Sequence, residues 1–83
     1  MTQLQGLILS DTKVTDTGLE HLKELTRLRF LFLNNTAVTD VGVEHLKNLP
    51  SLNWVRLMGT QVTADGRASL RKVLPKCKIE PEP

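Results

Sequence analysis

The chain repeats itself every 24 residues, three times over, and no other feature constrains its fold as strongly. Leu4, Leu28 and Leu52 open the units, which run 4–27, 28–51 and 52–75. Leu7, Leu31 and Val55 follow, then Leu9, Leu33 and Leu57. Thr12, Thr36 and Thr60 come next, then Val14, Val38 and Val62, and then Thr15, Thr39 and Thr63. Gly18, Gly42 and Gly66 precede a last apolar series, in which Leu22, Leu46 and Leu70 are followed by Leu25, Leu49 and Val73. The first two units are identical at 13 of 24 positions and the second and third at 7, so the third is drifting.

Each unit changes period partway. Its opening Leu-x-x-Leu-x-Leu ends in an alternation that suits a strand with one buried face. Its second half places apolar residues at i, i+3 and i+6, as in Leu19, Leu22 and Leu25 or Val43, Leu46 and Leu49. That spacing predicts a short helix with one buried stripe. Thr15 and Thr39 stand where an N-cap belongs, with Asp16 and Asp40 in the first turn beside the positive helix end. Pro50 and Pro75 are expected to stop two of the helices. Gly18, Gly42 and Gly66 lie early in helices, where Gly costs about 0.5–1 kcal/mol relative to Ala. Three in phase imply close approach of neighbouring backbones. A strand and a helix of this length cannot bury both apolar faces alone. Stacked units can, and the product is a solenoid with a parallel sheet on one side and helices on the other.

The pattern Leu4-x-x-Leu7-x-Leu9-x-x-Thr12-x-Val14-Thr15-Asp16-x-Gly18-Leu19 resembles a leucine-rich repeat. Its Val-Thr-Asp-x-Gly-Leu half is similar to the ribonuclease-inhibitor and F-box-adaptor types and to many bacterial leucine-rich proteins. The resemblance covers residues 4–75 and recurs three times in register. It implies an α/β solenoid of three strand–helix repeats, with the parallel sheet concave and the helices convex, used for protein recognition rather than catalysis. One departure is Thr at 12, 36 and 60, where the family usually has Asn or Cys. A Thr hydroxyl can still bond a backbone group left open where the chain turns off the sheet, and the three are expected to form a continuous buried ladder. In the third unit Ala64 replaces the Asp and Arg67 replaces the apolar residue after the Gly, as expected of a terminal unit.

Residues 1–83 are read as one domain, with a C-terminal cap and tail over 76–83. The segment from Lys76 to Ile79 is expected to add a short last strand or edge, and Glu80-Pro81-Glu82-Pro83 to fray. Arg67, Arg71, Lys72, Lys76 and Lys78 crowd five positive charges into twelve residues. They are read as a polar cap for the last unit rather than a phosphate site. At the other end only Met1, Thr2 and Gln3 precede Leu4, so the first unit's apolar residues have no earlier unit to pack on. The chain is expected to be a piece of a longer repeat protein, or else to cover this end by self-association.

Chemistry is sparse. His21 and His45 share a repeat position, but Ser69 breaks the column, and zinc sites want three or four ligands. Cys77 is single and close to the C-terminus; it is read as a small apolar residue of the cap. No phosphate-binding loop is present. We therefore expect no active site, metal or cofactor. The net charge of +2 does not call for a nucleic-acid partner, and no apolar run approaches the roughly 20 residues of a membrane span. The sequence opens without the basic start and apolar core of a secretory signal, so a reducing, cytoplasmic setting is expected.

The sharpest expectation concerns the sheet. If Leu7 and Leu9, Leu31 and Leu33, and Val55 and Leu57 point inward, then Gly6 and Ile8, Phe30 and Phe32, and Trp54 and Arg56 point outward. That set holds every aromatic residue of the chain. Phe30 should neighbour Trp54, and Phe32 should lie between Ile8 and Arg56, with Met58 extending the patch. Ile8, Phe30, Phe32, Trp54, Arg56 and Met58 form the expected contact surface for a protein or peptide, or for a second copy of the chain.

Overall fold

The computed structural model describes residues 3–81. The described strands are each three residues long, and in the three repeat units the chain leaves the sheet just past them. Asp11, Asn35 and Gly59 adopt positive φ angles of 63°, 59° and 75°, in phase with the repeat. These are residue types that enter left-handed backbone at low cost, and they turn the chain off the sheet once per unit. The elements run β1 (Gly6–Ile8), α1 (Asp16–Glu20), β2 (Phe30–Phe32), α2 (Asp40–Leu46), β3 (Trp54–Arg56), α3 (Ala64–Val73) and β4 (Lys78–Glu80). The strands form one parallel sheet in sequence order, and each pair is offset by one repeat, as in Leu7 with Leu31, Leu31 with Val55 and Val55 with Ile79. Helix packs on helix and strand on strand, so the units stack side by side, as the solenoid reading requires.

The core lies between the sheet and the helices. Leu31, Leu33, Val38, Leu46, Val55, Leu70 and Ile79 are fully buried. Their first-unit counterparts Leu7, Leu9, Val14 and Leu22 are only half-buried, because no earlier unit covers them among the described residues.

Several local expectations need correction. The first two helices are shorter than the apolar stripe, whereas α3 carries both Leu70 and Val73. In the first unit, Leu22 and Leu25 lie beyond α1 and are carried by tight turns, Leu22 N–H donating to Leu19 O at 3.0 Å and Leu25 N–H to Leu22 O at 2.9 Å. A stripe spaced by exact threes matches three residues per turn better than 3.6, so the tighter winding keeps it facing inward. The Thr hydroxyls do not form a row between units. Thr12, Thr36 and Thr60 each donate to the carbonyl three residues back, Leu9, Leu33 and Leu57, at 2.6, 2.8 and 2.7 Å. Of the three only Thr36 is buried.

The bonds that do cross between units come from neighbouring columns. Ser10 Oγ accepts from Asn34 N–H at 3.1 Å, and Asn34 Oδ1 accepts from Met58 N–H at 2.9 Å. The helix-start aspartates do more than face a helix end. Asp16 accepts from the backbone N–H and the hydroxyl of Thr39 at 2.8 and 2.5 Å, and Asp40 does the same for Thr63 at 2.8 and 2.6 Å. The Thr39 and Thr63 hydroxyls, so held, cap their own helices by accepting from Val41 N–H and Gly66 N–H. Thr15 receives no such carboxylate among the described residues, and its side chain makes no capping bond.

The glycine column answers to the same clamp. A Cβ on Gly42 would run into Asp16 Oδ1, and one on Gly66 into Asp40 Oδ1. The close approach is to a carboxylate of the preceding unit rather than to its backbone. A Cβ on Gly18 would meet only a Val14 methyl among the described residues.

The hydroxyl and backbone N–H of Thr63 hold the Asp40 carboxyl below its ordinary pKa. A lowered folded-state value stabilises the fold above the unfolded value, near 4, and that stability is lost as pH falls through the folded value. Asp40→Asn should therefore flatten the acid limb of the melting-temperature profile below about pH 4 relative to wild type. Parallel acid limbs in the two proteins would rule out the clamp as an acid-sensitive element.

The C-terminal segment also departs from expectation. Glu80 is not part of a frayed tail. It closes β4, where its carbonyl accepts from Leu57 N–H at 2.7 Å. Ile79 is fully buried, and Arg71 donates to the carbonyls of Ile79 at 3.0 Å and Pro81 at 3.4 Å. The rest of the expected tail, Glu82 and Pro83, lies outside the described residues.

Candidate functional site

The outward face of the sheet gathers most of the expected residues. Phe30 pairs with Trp54 in the strand register, and Phe32 lies between Ile8 and Arg56. The rings are arranged less simply than the backbones. Phe30 leans over Gly6, where any Cβ would enter its ring. Phe32 sits at the centre, 5.2 Å from the Phe30 ring and 4.8 Å from the Trp54 ring, the latter edge-on at 74°. Offset and edge-to-face pairs of this kind add about 0.5–1.5 kcal/mol beyond their burial. Ile8 is the most open of the group at 63% exposure, and Trp54 retains 36%.

Cations flank the aromatics. The Arg56 guanidinium stands 5.3 Å from the Phe32 centroid, and Lys78 Nζ 5.7 Å from that of Trp54. Both also face Glu80. Its carboxylate accepts from Trp54 Nε1–H at 3.0 Å and lies 3.1 Å from Arg56 Nε and 3.8 Å from Lys78 Nζ. The Arg56 contact is an ion pair without hydrogen-bond alignment. The Trp54 hydrogen bond, with the two cations, keeps the Glu80 carboxyl below the ordinary range. Trp54 is thus held from one side by Phe32 and from the other by Lys78 and Glu80.

Met58 stands apart from the strands. It lies past β3, half-buried, with its N–H taken by Asn34 and its carbonyl by Asn35 N–H at 2.7 Å.

Reading the residues alone missed Lys78 and Glu80 as members of this face, having placed one in the basic cap and the other in the tail. Counting one more period would have found them: 78 follows Trp54 by 24 residues, and 80 follows Arg56 by the same step. It also missed a groove of about 250 Å³ at the end where the chain enters the strands, lined by Gln5, Arg29, Phe30, Asn53 and Trp54. A second groove, about 220 Å³, opens between Pro50–Leu52 and Val73–Cys77. Burial there pushes the Cys77 thiol up to about 11, so it stays protonated at neutral pH.

The basic C-terminal residues do not converge. Lys78 stands on the sheet face, whereas Arg67 donates to Val62 O at 3.2 Å and Arg71 is turned onto the β4 carbonyls. His21 is exposed and His45 half-buried. Among the described residues no three His, Cys, Asp or Glu side chains gather into a group that could hold a metal. No helix among them is long and apolar enough to cross a membrane.

The fold has a counterpart among known structures. A leucine-rich repeat protein of Leptospira interrogans superposes with a TM-score of 0.65 and 24% sequence identity, over 93% of this chain and 25% of that one. The fold is a leucine-rich-repeat solenoid. This chain spans about a quarter of the length of that protein. No protein-family model matches the chain, and no curated protein matches it either. Within the solenoid, the aromatic cluster occupies the outer surface of the parallel sheet, opposite the helices, and its side chains do not enter the core. What it offers chemically is apolar contact area and fixed positive charge.

Proposed function

We propose that this solenoid is a non-catalytic binding module that takes a protein or peptide on the aromatic face of its sheet. The observation that carries this reading is the Phe30–Phe32–Trp54 cluster itself. Three aromatic rings are braced against one another and against Arg56, Lys78 and Glu80 on a surface outside the core. Aromatic and Arg side chains dominate interface hot spots, and a braced cluster loses little entropy when a partner covers it.

The test is the double replacement Phe30→Ala with Trp54→Ala. Circular dichroism should show the folded chain retained. The affinity of a purified partner, measured directly against wild type and variant, should fall about 100-fold or more. Undiminished affinity, or outright unfolding, overturns the assignment of these residues to an outward binding face.

A second reading is favoured by the first unit. Leu4 is 39% exposed, Leu7, Leu9, Val14 and Leu22 are half-buried, and the Thr15 side chain makes no capping bond, unlike those of Thr39 and Thr63. Here the module is structural, and this edge stacks against a further leucine-rich unit, from a longer chain or from a second copy. Self-association through the edge predicts a mass that rises with concentration in light scattering, and a constant monomer mass at high concentration overturns it.

A further inference from the structure

The groove at the entry end of the sheet narrows the kind of partner, and the argument rests on the sheet-face reading above. Gln5, Arg29 and Asn53 occupy the same position in three successive units, immediately before their strands. Their backbone carbonyls are already used. Gln5 O accepts from Arg29 N–H at 2.7 Å, Arg29 O from Asn53 N–H at 2.7 Å, and Asn53 O from Lys78 N–H at 2.8 Å. Their exposed side chains, by contrast, make no hydrogen bond or ion pair to another described residue. The groove therefore shows a ligand a guanidinium between two amides, with the Phe30 and Trp54 rings beside them.

We infer that this groove binds an extended peptide segment carrying one carboxylate next to a large apolar side chain. The carboxylate meets Arg29, which can donate to it through two parallel N–H groups. The Gln5 and Asn53 amides each offer a donor and an acceptor, which suits the N–H and C=O of a peptide backbone. Strands lie about 4.8 Å apart, so the row spans roughly 10 Å, the length of about three extended residues. The apolar side chain lies against Phe30 and Trp54.

Charge favours a single acid over a polyanion. The face carries Arg29, Arg56 and Lys78 as cations, but Arg56 and Lys78 already face Glu80. That leaves Arg29 as the cation without a carboxylate among the described residues. A nucleic-acid strand needs repeated cations along its backbone.

The test begins with selection of random twelve-residue peptides on the immobilised full chain. An enriched peptide is then synthesised with a fluorophore, and anisotropy gives its affinity for wild type, for Arg29→Gln and for Phe30→Ala/Trp54→Ala. Enriched sequences should share an Asp or Glu beside an aromatic or large aliphatic residue. Changing that acid to its amide, or Arg29 to Gln, should each weaken binding about 10-fold or more, and the two together little further. Enrichment without an acid, no enrichment, or indifference to Arg29→Gln while the aromatic double variant loses binding would overturn this inference and leave the sheet-face reading standing. Binding undiminished in the aromatic double variant would overturn both. Displacement of the peptide by a twelve-nucleotide single-stranded DNA at 150 mM salt would overturn the single-acid site in favour of a polyanion.

Discussion

Gly42→Ala should destabilise the solenoid by about 2–4 kcal/mol, against the direction that helix propensity predicts. In an ordinary exposed helix this change gains up to about 1 kcal/mol. Here the new methyl would enter the space of the Asp16 carboxylate, with Leu19 Cδ1 at 2.9 Å and Val38 Cγ1 at 3.1 Å closing the other sides. Asp16 would have to move, and its bonds to the Thr39 N–H and hydroxyl would go with it. Hydrogen bonds to charged groups contribute about 1.5–3 kcal/mol each where they are shielded, and these are partly buried. For a domain of this size the loss corresponds to a fall of roughly 10–20 °C in melting temperature.

Two controls separate the clamp from general crowding. Gly18→Ala meets only the methyl of half-buried Val14 at 2.8 Å, which can rotate away, and should change stability by less than about 1 kcal/mol. In an Asp16→Ala background, Gly42→Ala should cost less than half of what it costs in wild type, because the group it displaces is already gone. Equal penalties at Gly18 and Gly42, or strict additivity with Asp16→Ala, would show that the glycine column does not serve the carboxylate clamp.

The second large effect lies outside the three repeats. Ile79→Ala should cost about 2–5 kcal/mol, comparable to any core truncation in the middle unit. Ile79 is fully buried and pairs with Val55 across β3 and β4. Its removal leaves a cavity under a strand that is held by Leu57 N–H to Glu80 O at 2.7 Å and by the Arg71 guanidinium. Ile8→Ala is the matched control. It removes the same side chain from the outer face of β1, where Ile8 is 63% exposed, and should change stability by only a few tenths of a kcal/mol. The midpoint of urea denaturation for both variants provides the measurement. If Ile79→Ala is as mild as Ile8→Ala, then β4 is a dispensable edge and not the fourth strand of the core.

These two cases mark where residue patterns were informative. Strand alternation and the 24-residue period were enough to put Leu31 and Val55 inward and Phe30, Phe32, Trp54 and Arg56 outward, because side-chain direction in a strand follows from the backbone alone. The same period fixes parallel register, since equivalent residues of stacked units must fall side by side. Glu80 was misjudged for a local reason. Two prolines and two acids in a row read as a tail, but the backbone of β3 supplies a partner that composition does not record.

Side-chain reach between the helix starts of successive units was not legible in the residue pattern. The aspartate after Thr15 or Thr39 looks like an ordinary first-turn acid, and its distance along the chain from Thr39 or Thr63, 23 residues, gives no hint of contact. Only stacking brings the carboxylate, the next unit's hydroxyl and the next unit's glycine to one point. The groove at Gln5, Arg29 and Asn53 arose the same way: three unremarkable polar residues became neighbours when the strands after them paired. The sequence by itself determined the unit, its period and which face of each strand is buried, all of which depend on local backbone geometry. The tertiary structure alone decided which side chains meet away from the strand register, as Asp16 meets Thr39 and Gly42, because those contacts depend on distances of a few ångströms between segments that the chain order keeps far apart.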